Sequence, residues 1–546
     1  MSTEREKLIE IWLDSASERE YQSAFRNVLI WQGYDVLQNT SHNALELGKD
    51  VIARDTNGVL YAYQLKGNPG TRLSISQWQS LINQIDTLVY QPVSHPSVGP
   101  DEQHVPVLVT NGEVQENVLA AIASFNARVV SAHPHVRPLS VISRGTLLRQ
   151  ILDRSDAVWP VSIDSQRRLL TLLSKDGDDV LPQEDFCNLI YSIVGLEPES
   201  KKATEAAIAA AHLVTAIVAA NWRKASNFFE VIKIYTLLYA SICASVSRFK
   251  LKSKKIAAFL QDIEYTIKEE LLAFTIYVSE HHSRGPLINR SIFSEYLYFH
   301  TRKKMVVGLL SCALLDAEMK SKLLKDEAKY DVIWSLICDK KNERFLIGES
   351  IFPYHLADYW CQHNIQGSWK PEWTMVGALN ALLTFNNQED FLKQIPGPYY
   401  SLHEILEGQL LHSEGGPHYL EGDCHYRRSF FAEPLFYLVV RRNFKTSCKR
   451  LWPTLTLFRH VRSRLKEPWQ FSLIDCNDAL EEEKQLPVPQ SWDDVVETAS
   501  KDFSPLMPPL LMKSPLIALL FCLFIPYRMD FDVCMWLDRQ FAKSWY

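Results

Sequence analysis

Apolar residues recur at helical spacing at Tyr21, Phe25, Val28 and Leu29 and stop at Gly33, which predicts a helix ending there and a short strand from Asp35 to Gln38. Two β-prone runs follow, one through Asp50 to Arg54 and one through Val59 to Lys66, on either side of Asp55-Thr56-Asn57-Gly58. An Asn-Gly pair between such runs predicts a hairpin. Trp78, Leu81, Ile82, Ile85, Leu88 and Val89 form a second helical stripe after the cap candidate Ser76, with Gln84 expected on its inner side. A buried strand from Val105 to Thr110, a helix from Val114 to Phe125 and a last strand from Pro138 to Ile142 complete residues 1–152 as an α/β domain, a mixed sheet flanked by helices.

After the Trp159-Pro160 link the pattern becomes helical throughout, with runs such as Thr204 to Arg223, Phe228 to Phe249, Ser253 to His281, Met305 to Leu324 and Trp373 to Leu383. Residues 165–347 are therefore expected to form a helical region, Gly348 to Pro353 to break it, and 348–546 to form a second helical lobe. Together they make a large all-α C-terminal region.

Side-chain parity in the hairpin decides whether any chemistry is available. Opposed residues of an antiparallel pair share a face. A two-residue Asn57-Gly58 loop sets Asp50 against Leu65 and sends Gln64 and Lys66 to the other side. A three-residue loop, Thr56-Asn57-Gly58 with Gly58 left-handed, pairs Asp50 with Gln64 and brings Lys66 onto the same face. An acid, an amide and an amine gathered at one rim of an apolar sheet face suit a metal-held water beside a phosphodiester, so metal chemistry predicts the longer loop.

Gly48-x-Asp50 followed by Gln64-x-Lys66, with the helix from Tyr21 to Gly33-Tyr34 upstream and the Ser76 to Tyr90 helix and Val105 to Gly112 strand downstream, resembles the Mrr-like branch of the PD-(D/E)XK restriction-endonuclease superfamily. The resemblance covers roughly the first 150 residues. It implies a restriction-endonuclease-like fold, in which Asp50, Gln64 and the main-chain carbonyl of Leu65 hold Mg2+ (or Mn2+) and Lys66 orients or deprotonates the attacking water. Gln64 stands where many relatives carry an acid, and Gln22 aligns with the family's helical glutamate. Glu20 is the preferred substitute for the missing charge; Glu18 and Glu46 are the other acids within reach.

Composition changes little. A chain of 546 residues, 47% hydrophobic and 22% charged, is an ordinary globular one with room for two or three domains. No charged-then-apolar leader opens it, and the apolar stretches Pro515 to Pro526 and Ala206 to Ala220 fall short of the roughly 20 residues that span a bilayer. His212, within the latter, reads as a packed core histidine. The ten cysteines all follow residue 186 and form no C-x-x-C pair, which fits reduced thiols and a cytoplasmic protein. His355, Cys361, His363, His403, His412, His418, Cys424 and His425 crowd one region at spacings that fit no zinc motif. A phosphate-cradling loop, a serine-hydrolase elbow and a zinc-protease helix are all missing from the sequence.

Net charge of −6 does not announce a polyanion partner, but two local basic runs do offer one. Lys250 and Lys252 lie in the first; Arg441, Arg442, Lys445, Lys449 and Arg450 lie in the second, which runs on to Lys466 without an acid and is interleaved with aromatic residues. The expectation is a Mg2+-dependent endonuclease acting on DNA in restriction or anti-phage defence. A homo-oligomer is expected, with no membrane, and a separate sensor or ATPase subunit as a further partner. The alternatives are a non-catalytic nucleic-acid-binding or scaffold protein with a degenerate nuclease fold, and an RNA-cleaving effector.

Overall fold

A computed structural model describes residues 4–39, 49–99, 102–155, 162–195, 200–282, 294–339, 348–366, 370–388, 395, 397–398, 426–473, 480–488 and 491–542. Helices α1 (Glu4–Ser15) and α2 (Glu18–Gln32) precede strands β1 (Asp35–Asn39), β2 (Val51–Arg54), β3 (Leu60–Lys66) and the two-residue β4 (Arg72–Leu73). Then come α3 (Ile75–Tyr90), β5 (His104–Thr110), β6 (Glu113–Val114), α4 (Glu116–Ala132), β7 (Ser140–Ile142) and α5 (Arg144–Ser155), followed by α6 (Ile163–Leu173) and α7 (Gln183–Val194). The main sheet has the order β1-β2-β3-β5-β7. Its β1/β2 and β2/β3 pairs are antiparallel, while β3/β5 and β5/β7 are parallel.

The hairpin closes through three residues. Ala53 pairs with Tyr61 and Arg54 with Leu60, and the Asp55 N–H donates to the Val59 carbonyl at 2.9 Å, leaving Thr56, Asn57 and Gly58 as the loop. Gly58 has φ +85°, a conformation that costs a residue with a Cβ. The Asp55 carboxylate holds the turn by accepting the Asn57 and Val59 N–H groups at 2.9 and 2.8 Å.

This register fixes which side chains reach which layer. Val51, Ala53, Tyr63, Leu65, Val107 and Val109 form one face and pack on Trp12, Leu13, Tyr21, Phe25, Leu147 and Ile151. Ile52, Leu60, Ala62 and Leu108 form the other and pack on Trp78, Ile85, Leu88, Val118 and Phe125. Gly33, at φ +89°, ends α2 where expected, its N–H capping Ile30 O. Helix α3 starts earlier than the Ser76 cap predicted, because Ser74 rather than Ser76 accepts from Gln77 N, at 3.4 Å. Gln84, expected on the inner side of α3, is exposed.

Contacts divide the chain into two units, Met1–Glu269 and Glu270–Tyr546, so neither the pattern change at 152–165 nor that at 348 marks the division. The reason lies in the core: Leu213, Ala216 and Ile217 of α8 (Lys201–Lys224) join the cluster of Tyr21, Phe25 and the sheet. The helices that follow the sheet complete its core. α8 and α9 (Phe228–Arg248) are longer than the short apolar stretch expected at 206–220 and could cross a membrane by length and composition, but 83% and 89% of their apolar windows are buried. α10 (Lys254–His281) begins in the first unit and ends in the second.

The second unit is not all-α. Strands β8 (Arg428–Ser429), β9 (Arg459–Arg464) and β10 (Leu480–Lys484) form a three-stranded sheet of order β10-β9-β8. Part of the presumed phosphate-tracking run is thus a strand, whose Arg462 lies opposite Glu482 and whose Val461 lies opposite Glu483. Cross-strand acids offset the basic residues. Among the described residues, the helices of this unit include Ser294–Leu315, Phe352–Gln366, Ala432–Arg441, the ten-residue Pro515–Phe524 and Phe531–Phe541.

Candidate active site

Val51 and Tyr63 are the last pair of β2 with β3, and the Asp50 N–H also donates to Tyr63 O at 2.8 Å, so Asp50 joins Val51 opposite Tyr63 and meets Gln64 through its side chain. The Asp50 carboxylate then does what the missing next residue of β2 would do. Its Oδ2 accepts the Leu65 N–H at 2.6 Å and Gln64 Nε2–H at 2.6 Å. Gln64 Nε2 also lies 3.4 Å from Leu65 O, while among the described residues its Oε1 has no hydrogen-bond partner although it is buried. Asp50 and Gln64 are only 5% and 3% exposed, so this contact is dry.

Lys66 follows on the same face by strand alternation, at the rim, with its side chain about one fifth exposed (20%). Its Nζ lies 3.5 Å from Glu18 Oε2, and the same carboxylate accepts the Gly67 N–H at 3.3 Å. Gly67 permits this approach: a Cβ there would sit 2.8 Å from the Glu18 backbone nitrogen. Glu18 is therefore the acid that α2 brings to the lysine.

Glu20, the preferred acid from sequence, is committed elsewhere. It occupies the third position of α2 and its carboxylate accepts the Ser17 N–H in a capping box. The Ser17-x-x-Glu20 pattern was the signal that would have assigned it so. Gln22 is half-buried on the same helix, and Glu46 lies outside the described residues.

Sequence reading also missed the groups that hold this rim together. The Tyr21 hydroxyl lies 3.1 Å from Lys66 O and 3.2 Å from Val109 O, bridging the ends of β3 and β5. Burial, then the negative charge of Glu18, push its phenol far above the ordinary tyrosine range, and Asp50 adds to this. Asn111 Oδ1 accepts the Asn68 N–H at 2.7 Å, and its Nδ2 donates to Leu13 O and Ala16 O at 2.9 and 2.7 Å, tying the strand ends to the α1/α2 turn. Lys49, next to Asp50, is buried with Nζ 3.3 Å from Thr87 O, and desolvation pulls its amine down to about 8.

The oxygen donors fit a hard cation. One carboxylate, the main-chain carbonyl of Leu65 and the orphaned Gln64 Oε1 supply the ligand type that Mg2+ or Mn2+ takes. This set carries a single charge, and among the described residues no group of three or more His, Cys, Asp or Glu side chains could hold a metal. Of the histidines and cysteines that crowd the later sequence, His355, Cys361 and His363 are described, and the other five lie outside the described residues.

The basic residues separate into two kinds. Lys250, Lys252, Lys445, Lys449 and Arg450 are exposed. Arg441 and Arg442, expected at a nucleic-acid surface, are instead buried around one carboxylate: Arg441 Nη1 lies 2.9 Å from Asp538 Oδ2 and Arg442 Nη2 lies 2.7 Å from Asp538 Oδ1. A fully buried aspartate requires such partners, and Trp360 Nε1 donates to it as well, at 2.9 Å. These two arginines are buried, paired side chains of the second unit and not part of its surface. His212 is, as read, a core residue, with Nδ1 2.5 Å from Asn27 Nδ2 and burial pulling the ring down to about 4.

Compared with protein-family descriptions, with curated proteins and with solved structures, the chain matches none.

Proposed function

We propose that the first unit is a Mg2+-dependent nuclease of the restriction-endonuclease-like fold, acting on DNA. The observation that carries the reading is the hairpin contact: a three-residue loop brings the Asp50 carboxylate to Gln64 Nε2 at 2.6 Å, with Lys66 two residues on at the end of β3. Support also comes from topology. A helix leads into two antiparallel pairs, and α3 then crosses over to a parallel strand, which is the order expected of that fold.

Asp50 and the Leu65 carbonyl would hold the ion, and Gln64 Oε1 would be a neutral third donor only once its amide, whose Nε2 now faces both oxygens, turns over. Mg2+ bound there supplies charge neutralisation at the phosphate and a polarised water. Lys66 Nζ, partly exposed at the rim, would orient the attacking water and offset charge on the phosphorus. Glu18 holds the lysine from α2, and the Tyr21 hydroxyl holds the main chain on which the lysine sits. Lys445, Lys449 and Arg450 offer phosphate contacts in the second unit, and Lys250 and Lys252 in the first. Double-strand cutting needs two such sites, so a homo-oligomer goes with this reading, as does a role in restriction or defence.

One observation favours the non-catalytic alternative: Asp50 Oδ2 is already engaged by the Leu65 N–H and Gln64 Nε2–H in a buried contact. The two readings part on a single experiment. Purified protein is incubated with plasmid or with RNA, in Mg2+ or EDTA, beside Asp50→Asn and Lys66→Ala. Mg2+-dependent cutting of plasmid, lost in both variants, is the expected result. Binding without cutting in any divalent ion overturns the nuclease in favour of a scaffold, and cutting confined to RNA changes the substrate.

A further inference from the structure

The Gln64 amide points the wrong way for a ligand. Its NH2 end, the positive end of the amide dipole, faces Asp50 Oδ2 at 2.6 Å and Leu65 O at 3.4 Å, the two oxygens that would hold a cation. Its oxygen end is buried without a partner among the described residues. The orientation is forced by chemistry, because turning the amide over would press Oε1 against a carboxylate oxygen, acceptor on acceptor, unless a cation lay between them. The group thus has two positions, nitrogen-in without an ion and oxygen-in with one.

We propose that Gln64 serves as a surrogate for the cation in the free protein, so that an ion enters only by displacing the amide nitrogen from Asp50. This inference rests on the nuclease reading for its purpose, and there it ties ion loading to the arrival of a phosphodiester, whose oxygens complete the shell. Displacing a hydrogen bond to a charged acceptor lowers ion affinity by about ten- to hundredfold. An acid at the same position has no such end and would bind the ion outright.

Mn2+ binding read from the free-ion paramagnetic resonance signal, without nucleic acid, tests the inference separately from cleavage. Gln64→Ala removes the surrogate and is expected to bind Mn2+ about threefold or more tighter than the native protein. Gln64→Glu is expected to bind about tenfold or more tighter, and Asp50→Asn to abolish the site. Native protein that binds Mn2+ through Asp50 as tightly as Gln64→Glu, or a Gln64→Ala variant that binds more weakly, overturns the proposal and makes Gln64 an ordinary ligand. Either variant decides alone if the other fails to fold. Failure of the nuclease reading shows instead as an uncut plasmid, whatever the Mn2+ affinities.

Discussion

Asp50→Ala removes the acceptor of two buried donors, the Leu65 N–H and Gln64 Nε2–H, each 2.6 Å from Oδ2. A hydrogen bond to a charged acceptor contributes about 1.5–3 kcal/mol, and a stranded buried donor costs about 1–3 kcal/mol. Gln64 Nε2 has a second acceptor in Leu65 O at 3.4 Å, but the Leu65 N–H, facing the end of β2, has no alternative that this geometry supplies. The net loss is then about 3 kcal/mol. At about 2–4 °C per kcal/mol for a unit of this size, the first unit should melt about 6–12 °C lower. Asp50→Asn keeps an oxygen for the Leu65 N–H and should lose about half as much. Calorimetric melting of the three proteins, at one pH and without divalent ions, measures this directly. An Asp50→Ala protein melting within about 1 °C of the native one would refute the buried, doubly bonded carboxylate, and with it the register on which the site depends.

Further expectations concern neighbouring groups. Lys66→Ala should abolish cleavage by about a hundredfold or more while shifting the melt by less than about 3 °C, since its partly exposed pair with Glu18 contributes at most about 1 kcal/mol; a large loss of stability would contradict the rim position. Glu20→Ala should cost about 1 kcal/mol by loss of the α2 cap yet leave cleavage intact, whereas Glu18→Ala should slow cleavage; the opposite pattern in plasmid assays would restore Glu20 to the site. His212 has its folded pKa pulled from 6.5 to about 4, so the unfolded chain binds the proton first as pH falls. Stability of the first unit is then full above about 6.5 and declines by roughly 3 kcal/mol towards about 4; urea melts of the native protein and His212→Asn should show that the variant lacks this acid slope. Arg441→Met should destabilise the second unit by about 3–5 kcal/mol, whereas Lys449→Glu with Arg450→Glu should leave the melt unchanged and weaken DNA binding with a shallower salt dependence, checked by titration at two salt concentrations.

Periodicity alone determined the α/β start of the chain, the end of α2 at Gly33, the hairpin and the two strands after it, because amphipathic spacing and turn chemistry are local properties. Parity went further: choosing the three-residue loop on chemical grounds named the Asp50–Gln64 pair, since alternation converts loop length into facing. What local pattern could not reach was which groups are already taken. Glu20 and Glu18 differ by two residues in the same acidic turn; the Ser17-x-x-Glu20 pattern could have claimed Glu20 for the cap, but only the approach of Gly67 to α2 decided that Glu18 meets the lysine. Arg441 and Arg442 read as surface charge until Asp538, nearly a hundred residues away, drew them into a core. β9 read as part of a basic run offered to phosphates until β10 paired its acids with it, and α8 read as separate from the sheet until Leu213 and Ile217 filled the layer over Phe25. In each case the deciding term is a long-range pairing or burial, whose free energy depends on partners that sequence distance hides, so the residues could be named in advance but their partners could not.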